Sequence, residues 1–230
     1  DDYHITPATI NPYQRALVTL TFDDGFEDNV TTVLPILEQY KLKSTQCYAT
    51  KYIEGLPAEE AKVRIFASKG HEICSHSVTH PGFTSLSAAQ MANELSHSKS
   101  YLMKISGQTV RNFASPFGDY NAKVNNEIKK YYVSHRTTDE GFNSKDNFDP
   151  YRIRVQNMQI DTSFTQYQQW VNKAIADKTW LVLLYHRVGT TTLGQFDTKL
   201  ADFAAQMKWL SARGVTVSRW DKALAEVASQ

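Results

Sequence analysis

Ala16-Leu-Val-Thr-Leu-Thr-Phe-Asp-Asp-Gly25 opens as an unbroken apolar and β-branched run and ends in two carboxylates and a glycine. Residues 16–21 read as a strand buried on both faces, the kind that parallel sheets use. Outward from it, residues 29–41 carry Val30, Val33, Leu34 and Leu37 at helical spacing, with Asp28 or Asn29 as cap and Pro35 tolerable only near the first turns. Further strands are expected at 44–49, 72–75, 112–115, 132–136, 180–185 and 215–218, with an extended stretch over 151–160. Helices are expected at 57–69, stopped by Gly70, and at 87–106, opened by a Ser87/Gln90 capping box and stopped by Gly107. Others are expected at 122–131, 164–176, 196–212 and 222–228. Residues 139–150, rich in Gly, Asn and Asp, read as a loop.

Strands alternating with helices imply βα units and a parallel sheet. Seven or eight units in 230 residues predict an α/β fold closed, or nearly closed, into a barrel of about seven parallel strands; an open doubly wound sheet is the alternative. No linker or composition break divides the chain, so residues 1–230 read as one domain. With 25 Lys+Arg against 24 Asp+Glu, no basic nucleic-acid surface or acidic tail is indicated. The longest strong apolar run, Trp180–Tyr185, is far short of the about 20 residues a transmembrane helix needs. Two cysteines exclude a disulfide-built scaffold and a Cys-rich zinc site. Cys47 and Cys74 fall on neighbouring strands and read as buried thiols, with a disulfide as the alternative. The stretch starts at Asp1-Asp2 with no apolar leader.

In βα folds the chemistry sits at the C-terminal ends of strands. Four strands here end in polar clusters: Thr21-Phe-Asp-Asp-Gly25, His76-Ser-Val-Thr-His80, Ser115-Pro-Phe-Gly-Asp119 and His186-Arg-Val-Gly189. Adjacent carboxylates in extended chain point to opposite faces unless the backbone turns, which Gly25 permits. Asp23 and Asp24 therefore offer a metal ligand plus a general base, or merely a helix cap. His76 and His80 can meet on one cation, or be a pair of surface histidines. One carboxylate and two imidazoles leave coordination positions open, the pattern of a catalytic zinc site. His71-Glu-Ile-Cys-Ser-His76 is one residue too long for the zincin helix and lies in a strand, so His71 reads as structural. His186 offers a proton donor for a leaving group, or is a satisfied histidine at a strand end, which taken alone is the better reading. Pro116 and Gly118 allow the Phe117 amide to point at a developing oxyanion, or simply form an ordinary turn.

Together these segments resemble the polysaccharide deacetylase family, the NodB-homology domain of carbohydrate esterase family 4. Thr21–Gly25 matches the first motif, Gly70-His-Glu-Ile and His76–His80 the second, and Leu184-Tyr-His186 the last; the similarity runs from about Leu17 to Val217. The resemblance implies a deformed (β/α) barrel that removes acetyl groups from N-acetylated sugars, less often from O-acetylated xylan. It implies Asp23 as base, Asp24, His76 and His80 as ligands to zinc (or cobalt or nickel), His186 as acid, and the Phe117 amide in the oxyanion hole.

Four departures stand out. The third motif reads Phe113-Ala-Ser-Pro-Phe-Gly118, so Ala114 stands where the family has the arginine that pairs with the base. Arg152 or Arg154 is the expected substitute. Phe117 stands for a tyrosine. No clean Asp-x-x-Asp-Trp motif is present, leaving Asp161 as the expected partner of His186. Arg187 replaces an aspartate. The Ala114 and Tyr185-His-Arg-Val188 variants resemble deacetylases of poly-N-acetylglucosamine. Phe26, Phe83 and Tyr120 are expected to flank the glycan, with Phe142 a looser candidate. The expected partner is an acetylated glycan, and the expected location is outside the cell, from the substrate class.

Overall fold

Leu17–Phe22 forms β1, and its side chains alternate between two buried environments. Val18, Leu20 and Phe22 face a surrounding helical layer, whereas Leu17 faces an interior cluster with Cys47, Cys74 and Trp180. The computed structural model describes residues 10–230. The following strands are β2 (Thr45–Tyr48), β3 (Glu72–Ser75), β4 (Asn112–Ala114), β5 (Ser134–Glu140), β6 (Ile153–Asn157) and β7 (Trp180–Tyr185). Each pairs in parallel with the next, and β7 closes back on β1 from Leu17↔Trp180 to Phe22↔Tyr185. The result is the closed seven-stranded barrel expected from the alternation.

The barrel is deformed where β1 meets β2, since they pair only at Thr21↔Thr45 and Phe22↔Gln46. Below that, β10 (Thr216–Val217) takes the same edge of β1 at Leu17 and Val18. The short strands β8 (Val188–Gly189) and β9 (Thr198–Lys199) pair only with each other. The helices are α1 (Asn29–Thr32), α2 (Leu34–Gln39), α3 (Pro57–Ser68), α4 (Ala88–Ser106), α5 (Ala122–Ile128), α6 (Phe164–Asp177), α7 (Leu200–Ser211) and α8 (Trp220–Ala228). The expected helix over 29–41 is two helices, with Pro35 in the first turn of the second. Proline cannot donate the amide that would bridge them. The Ser87/Gln90 capping box and the left-handed Gly107 stop are both present on α4.

Trp220, Ala223 and Val227 of α8 pack with Leu17, Cys47, Cys74 and Trp180 and plug one end of the barrel. Cys47 and Cys74 are register partners and both are free thiols, fully buried. His71 is structural, its Nδ1 accepting the Ser44 amide at 3.0 Å. Among the described residues no helix is long and apolar enough to cross a membrane.

Candidate active site

The alternation that fills the interior continues past the strand ends. Inward positions on β1 lead to Asp23, those on β3 (Glu72, Cys74) to His76, and those on β7 (Trp180, Val182, Leu184) to His186. Arg136 is the inward residue of β5. These four side chains thus come from four strands to one rim. A cleft of about 480 Å³ opens there, lined by Asp23, Asp24, His76, His80, Phe117 and His186 among others.

Asp24 would face away if β1 simply continued. Its backbone turns left-handed instead (φ 72°), followed by Gly25 at φ 76°. Gly25 cannot be replaced cheaply, because a Cβ there would lie 2.3 Å from the Tyr48 ring. The turn aims Asp24 Oδ1 at two imidazoles, 3.2 Å from His76 Nε2 and 3.2 Å from His80 Nε2. The two Nε2 atoms are 3.1 Å apart. His76 Nδ1 lies 2.8 Å from the Ala114 carbonyl, which can only accept, so the neutral ring carries its proton on Nδ1 and its lone pair on Nε2. Ser77 and His80 also have positive φ, and this tight loop returns His80 onto His76. Glu94 of α4 fixes the loop, accepting the amides of Val78 (2.8 Å) and Thr79 (2.9 Å) and the Thr79 hydroxyl (2.6 Å). Sequence reading missed Glu94, whose only signal was a carboxylate on the buried face of an amphipathic helix.

The donor triangle fits a divalent cation. Asp24 Oδ1 is buried and has no well-formed hydrogen bond among the described residues, despite the two nearby nitrogens. Ligands about 2.0–2.1 Å from a tetrahedral zinc stand about 3.3 Å apart, close to the three separations found. Burial pushes the Asp24 carboxyl up, but the closely facing His76 and His80 imidazoles, with the charges of His76 and His186, outweigh it and hold it well below the usual range. Burial likewise disfavours a charged His76, and the facing carboxylates of Asp23 and Asp24 override it. The spot favours positive charge. Asp24, His76 and His80 form a group able to hold a metal ion.

Asp23 is 2% exposed. Its Oδ1 accepts a short hydrogen bond from Arg136 Nη2, and its Oδ2 lies 3.9 Å from His76 Nε2. The cation paired with Asp23 is therefore Arg136, not Arg152 or Arg154. Arg152 is spent on Asp139 at 2.8 Å, and Arg154 alternates with inward-facing Ile153 and Val155. Arg136 was legible in principle, as the last residue of an expected strand directly beside the third motif.

His186 Nδ1 is buried and without a partner among the described residues. Asp161 does not reach it and lies instead in a separate small cavity with Phe164, Lys199 and Asp202. Burial lowers the His186 pKa, against an opposing pull from Asp23 and Asp24. Phe117 is left-handed (φ 58°) and 72% exposed, with its ring 4.6 Å from His80.

Phe26 lines the cleft. Phe83 does not, being fully buried against Phe113 in the helical layer. Tyr120 donates its hydroxyl to Asp139 at 2.7 Å and packs on His135, and Phe142 packs against the other helical layer; neither is among the cleft residues. Asn157, Gln159, Gln195 and Phe196 line it unannounced by any motif.

The fold is a βα barrel with a cluster of carboxylates and imidazoles at the C-terminal ends of its strands, and comparison with known proteins narrows the class. The family described as polysaccharide deacetylase matches residues 11–134, and the chain belongs to that family. It is 24% identical over 208 residues to a chitin deacetylase of Colletotrichum lindemuthianum, covering 89% of this chain and 79% of that protein. It is 29% identical over 123 residues to a bifunctional xylanase/deacetylase of Pseudobutyrivibrio xylanivorans, covering 54% of this chain and 20% of that protein. The chain spans between 5% and 55% of the length of several bacterial relatives. The Xyl-CE4 domain of a xylanase from the Trinervitermes trinervoides hindgut metagenome shares the fold, with TM-score 0.64, 22% identity, and 93% and 92% of the two chains covered.

Proposed function

We propose that the chain hydrolyses acetyl groups from an N-acetylated polysaccharide, an N-acetylglucosamine polymer such as poly-N-acetylglucosamine, chitin or the peptidoglycan glycan. The observation that carries this reading is the triangle of Asp24, His76 and His80 beside an ion-paired buried carboxylate, with His186 on the adjoining strand. A divalent cation, zinc first and cobalt or nickel as alternatives, supplies Lewis acidity and acidifies water when bound there.

The chain's own residues do the rest. Arg136 engages Asp23 Oδ1 and leaves Oδ2 to take a proton from the attacking water. The Phe117 amide donates to the acyl oxygen as it gains charge. His186 gives a proton to the departing nitrogen. Water adds across the C–N bond, yielding acetate and a free amine. Such polymers lie outside the cytoplasm, and the protein is assigned to the cell surface or beyond on that ground.

The test is acetate release from N-acetylglucosamine oligomers and from acetylated xylan, with chelated protein and after adding zinc or cobalt. Cation-dependent release from the amino sugar supports the proposal. Release from xylan alone makes the protein an O-acetyl esterase, the reading favoured by its likeness to xylanase-linked deacetylase domains. Tight cation binding with no release from either sinks catalysis on these polymers and leaves a glycan-binding module.

A further inference from the structure

We infer that Phe196 and Arg187 position His186, replacing the carboxylate that its ring lacks. The inference rests on the reading of His186 as the proton donor. Its backbone is well fixed: Asn29 Nδ2 donates to the His186 carbonyl at 3.0 Å and Asn29 Oδ1 accepts the Val188 amide at 3.0 Å. Its ring is not fixed in the same way, since Nδ1 is buried and unpartnered among the described residues. A histidine with no second partner leaves its tautomer and ring angle to packing. The packing is supplied by Phe196, whose ring centre lies 5.6 Å from that of His186 at a 42° tilt.

Phe196 sits on residues 190–197, which join β8 to β9 and form one wall of the cleft. The loop is tied at its base by the Val188↔Thr198 and Gly189↔Lys199 pairs. Arg187 braces its interior, donating from Nη1 to the carbonyls of Thr191 (3.2 Å) and Thr192 (3.1 Å). The same guanidinium grips Asp28 Oδ2 through Nε (2.7 Å) and Nη2 (2.6 Å), and so anchors the loop to the turn before α1. The Gly194 amide donates to Asp197 at 2.7 Å, and the Gln195 carbonyl accepts the Ile160 amide at 2.8 Å. Gln195 Nε2 also reaches Gln159 Oε1 at 3.4 Å, and the group that the braced loop lays against His186 is the phenyl ring of Phe196. Phe196 and Arg187 are both positioning residues, acting through the imidazole.

A misplaced acid slows expulsion of a poor leaving group and spares a good one. Phe196→Ala and Arg187→Met are therefore compared with wild type on an N-acetylglucosamine oligomer and on 4-nitrophenyl acetate, whose phenolate leaves without a proton. Phe196 is 49% exposed, so truncating it removes little core. We expect kcat on the amide to fall about tenfold or more, within the about 10²–10⁴-fold that general acid–base catalysis supplies. The ester rate should change less than about twofold, and Phe196→Trp should restore the amide rate. Equal losses on both substrates, or no loss on the amide, overturn the inference. A readout independent of turnover is the side-chain ¹⁵N spectrum of His186 in cation-free protein. One sharp tautomer in wild type that becomes mixed in Phe196→Ala supports the inference, and an unchanged spectrum overturns it. If wild type releases no acetate from the amide, the proposed function fails while this spectrum still decides the positioning role.

Discussion

Arg136 at the barrel-lining register of β5 reaches across the rim to Asp23 at the end of β1, and both side chains are almost wholly buried. Neither charge is tolerable there without the other. Removing one partner of such a pair costs about 3–5 kcal/mol, whereas replacing both is far cheaper. Arg136→Met should lower unfolding free energy by about that amount and suppress acetate release. Asp23→Asn/Arg136→Met should recover much of the stability and none of the activity. Urea unfolding with parallel rate measurements checks this; a double variant no more stable than Arg136→Met would remove the argument from paired burial.

The three donors of Asp24, His76 and His80 lie on two segments, the end of β1 and the loop after β3. A ligand bound by both couples them and stabilises the folded chain by mass action. At a free concentration of 100 times Kd the gain is about 2.7 kcal/mol. Zinc should therefore raise the melting temperature of wild type measurably. Asp24→Ala and His76→Ala should fold yet show no such rise, and calorimetric titration should find their zinc affinity at least about 100-fold weaker. Undiminished zinc stabilisation in Asp24→Ala would place the cation elsewhere.

The rim was legible because a strand's two-residue period runs on past its last hydrogen bond, so Asp23, His76 and His186 followed from where the apolar runs stop. What was illegible lies where that logic has no purchase. β5 extends to Glu140 although Thr137-Thr-Asp-Glu140 is polar, because this part of the strand forms the rim and needs no apolar face. Ending the strand at Arg136 hid the residue's place across from Asp23. Phe196 was absorbed into an expected helix, but α7 starts only at Leu200, and the four residues before it include cleft wall. Phe83 adjoins the second motif in sequence, yet the short helical turn Phe83–Ser85 buries it. Proximity along the chain carries no information about facing once the backbone leaves regular structure.

His71 should give the protein an acid-sensitive stability. Its ring is fully buried, and burial, reinforced by Lys43, pushes its pKa down to about 4, against about 6.5 in the unfolded chain. Between these values the unfolded chain holds a proton that the native one refuses, so stability falls as pH drops from about 6.5 to about 4. The slope reaches about 1.4 kcal/mol per pH unit. His71→Gln keeps an acceptor for the Ser44 amide but cannot titrate. The urea midpoints of wild type and His71→Gln should converge on acidification, or cross; a gap that stays constant from pH 7 to pH 4 would exclude this histidine as the cause.

The Phe117 amide, proposed above as the oxyanion donor, depends on two consecutive left-handed residues, Phe117 at φ 58° and Gly118 at φ 65°. A Cβ on Gly118 would stand 1.9 Å from Thr138 Oγ1 and 2.7 Å from its Cβ, contacts that no rotamer change relieves fully. Gly118→Ala must therefore displace the turn and the Phe117 amide with it. The expected cost is about 1–3 kcal/mol of stability and a loss of acetate release of about 10²-fold, the scale of one oxyanion donor. Zinc affinity should change little, since no cation donor lies on this turn. Phe117→Gly is the informative partner: it suits a left-handed residue, keeps the N–H, and removes only the exposed ring. That variant should hold its stability and most of its rate on a short N-acetylated substrate. A loss as deep as that of Gly118→Ala would shift the role from the Phe117 amide to its ring, which packs on His80.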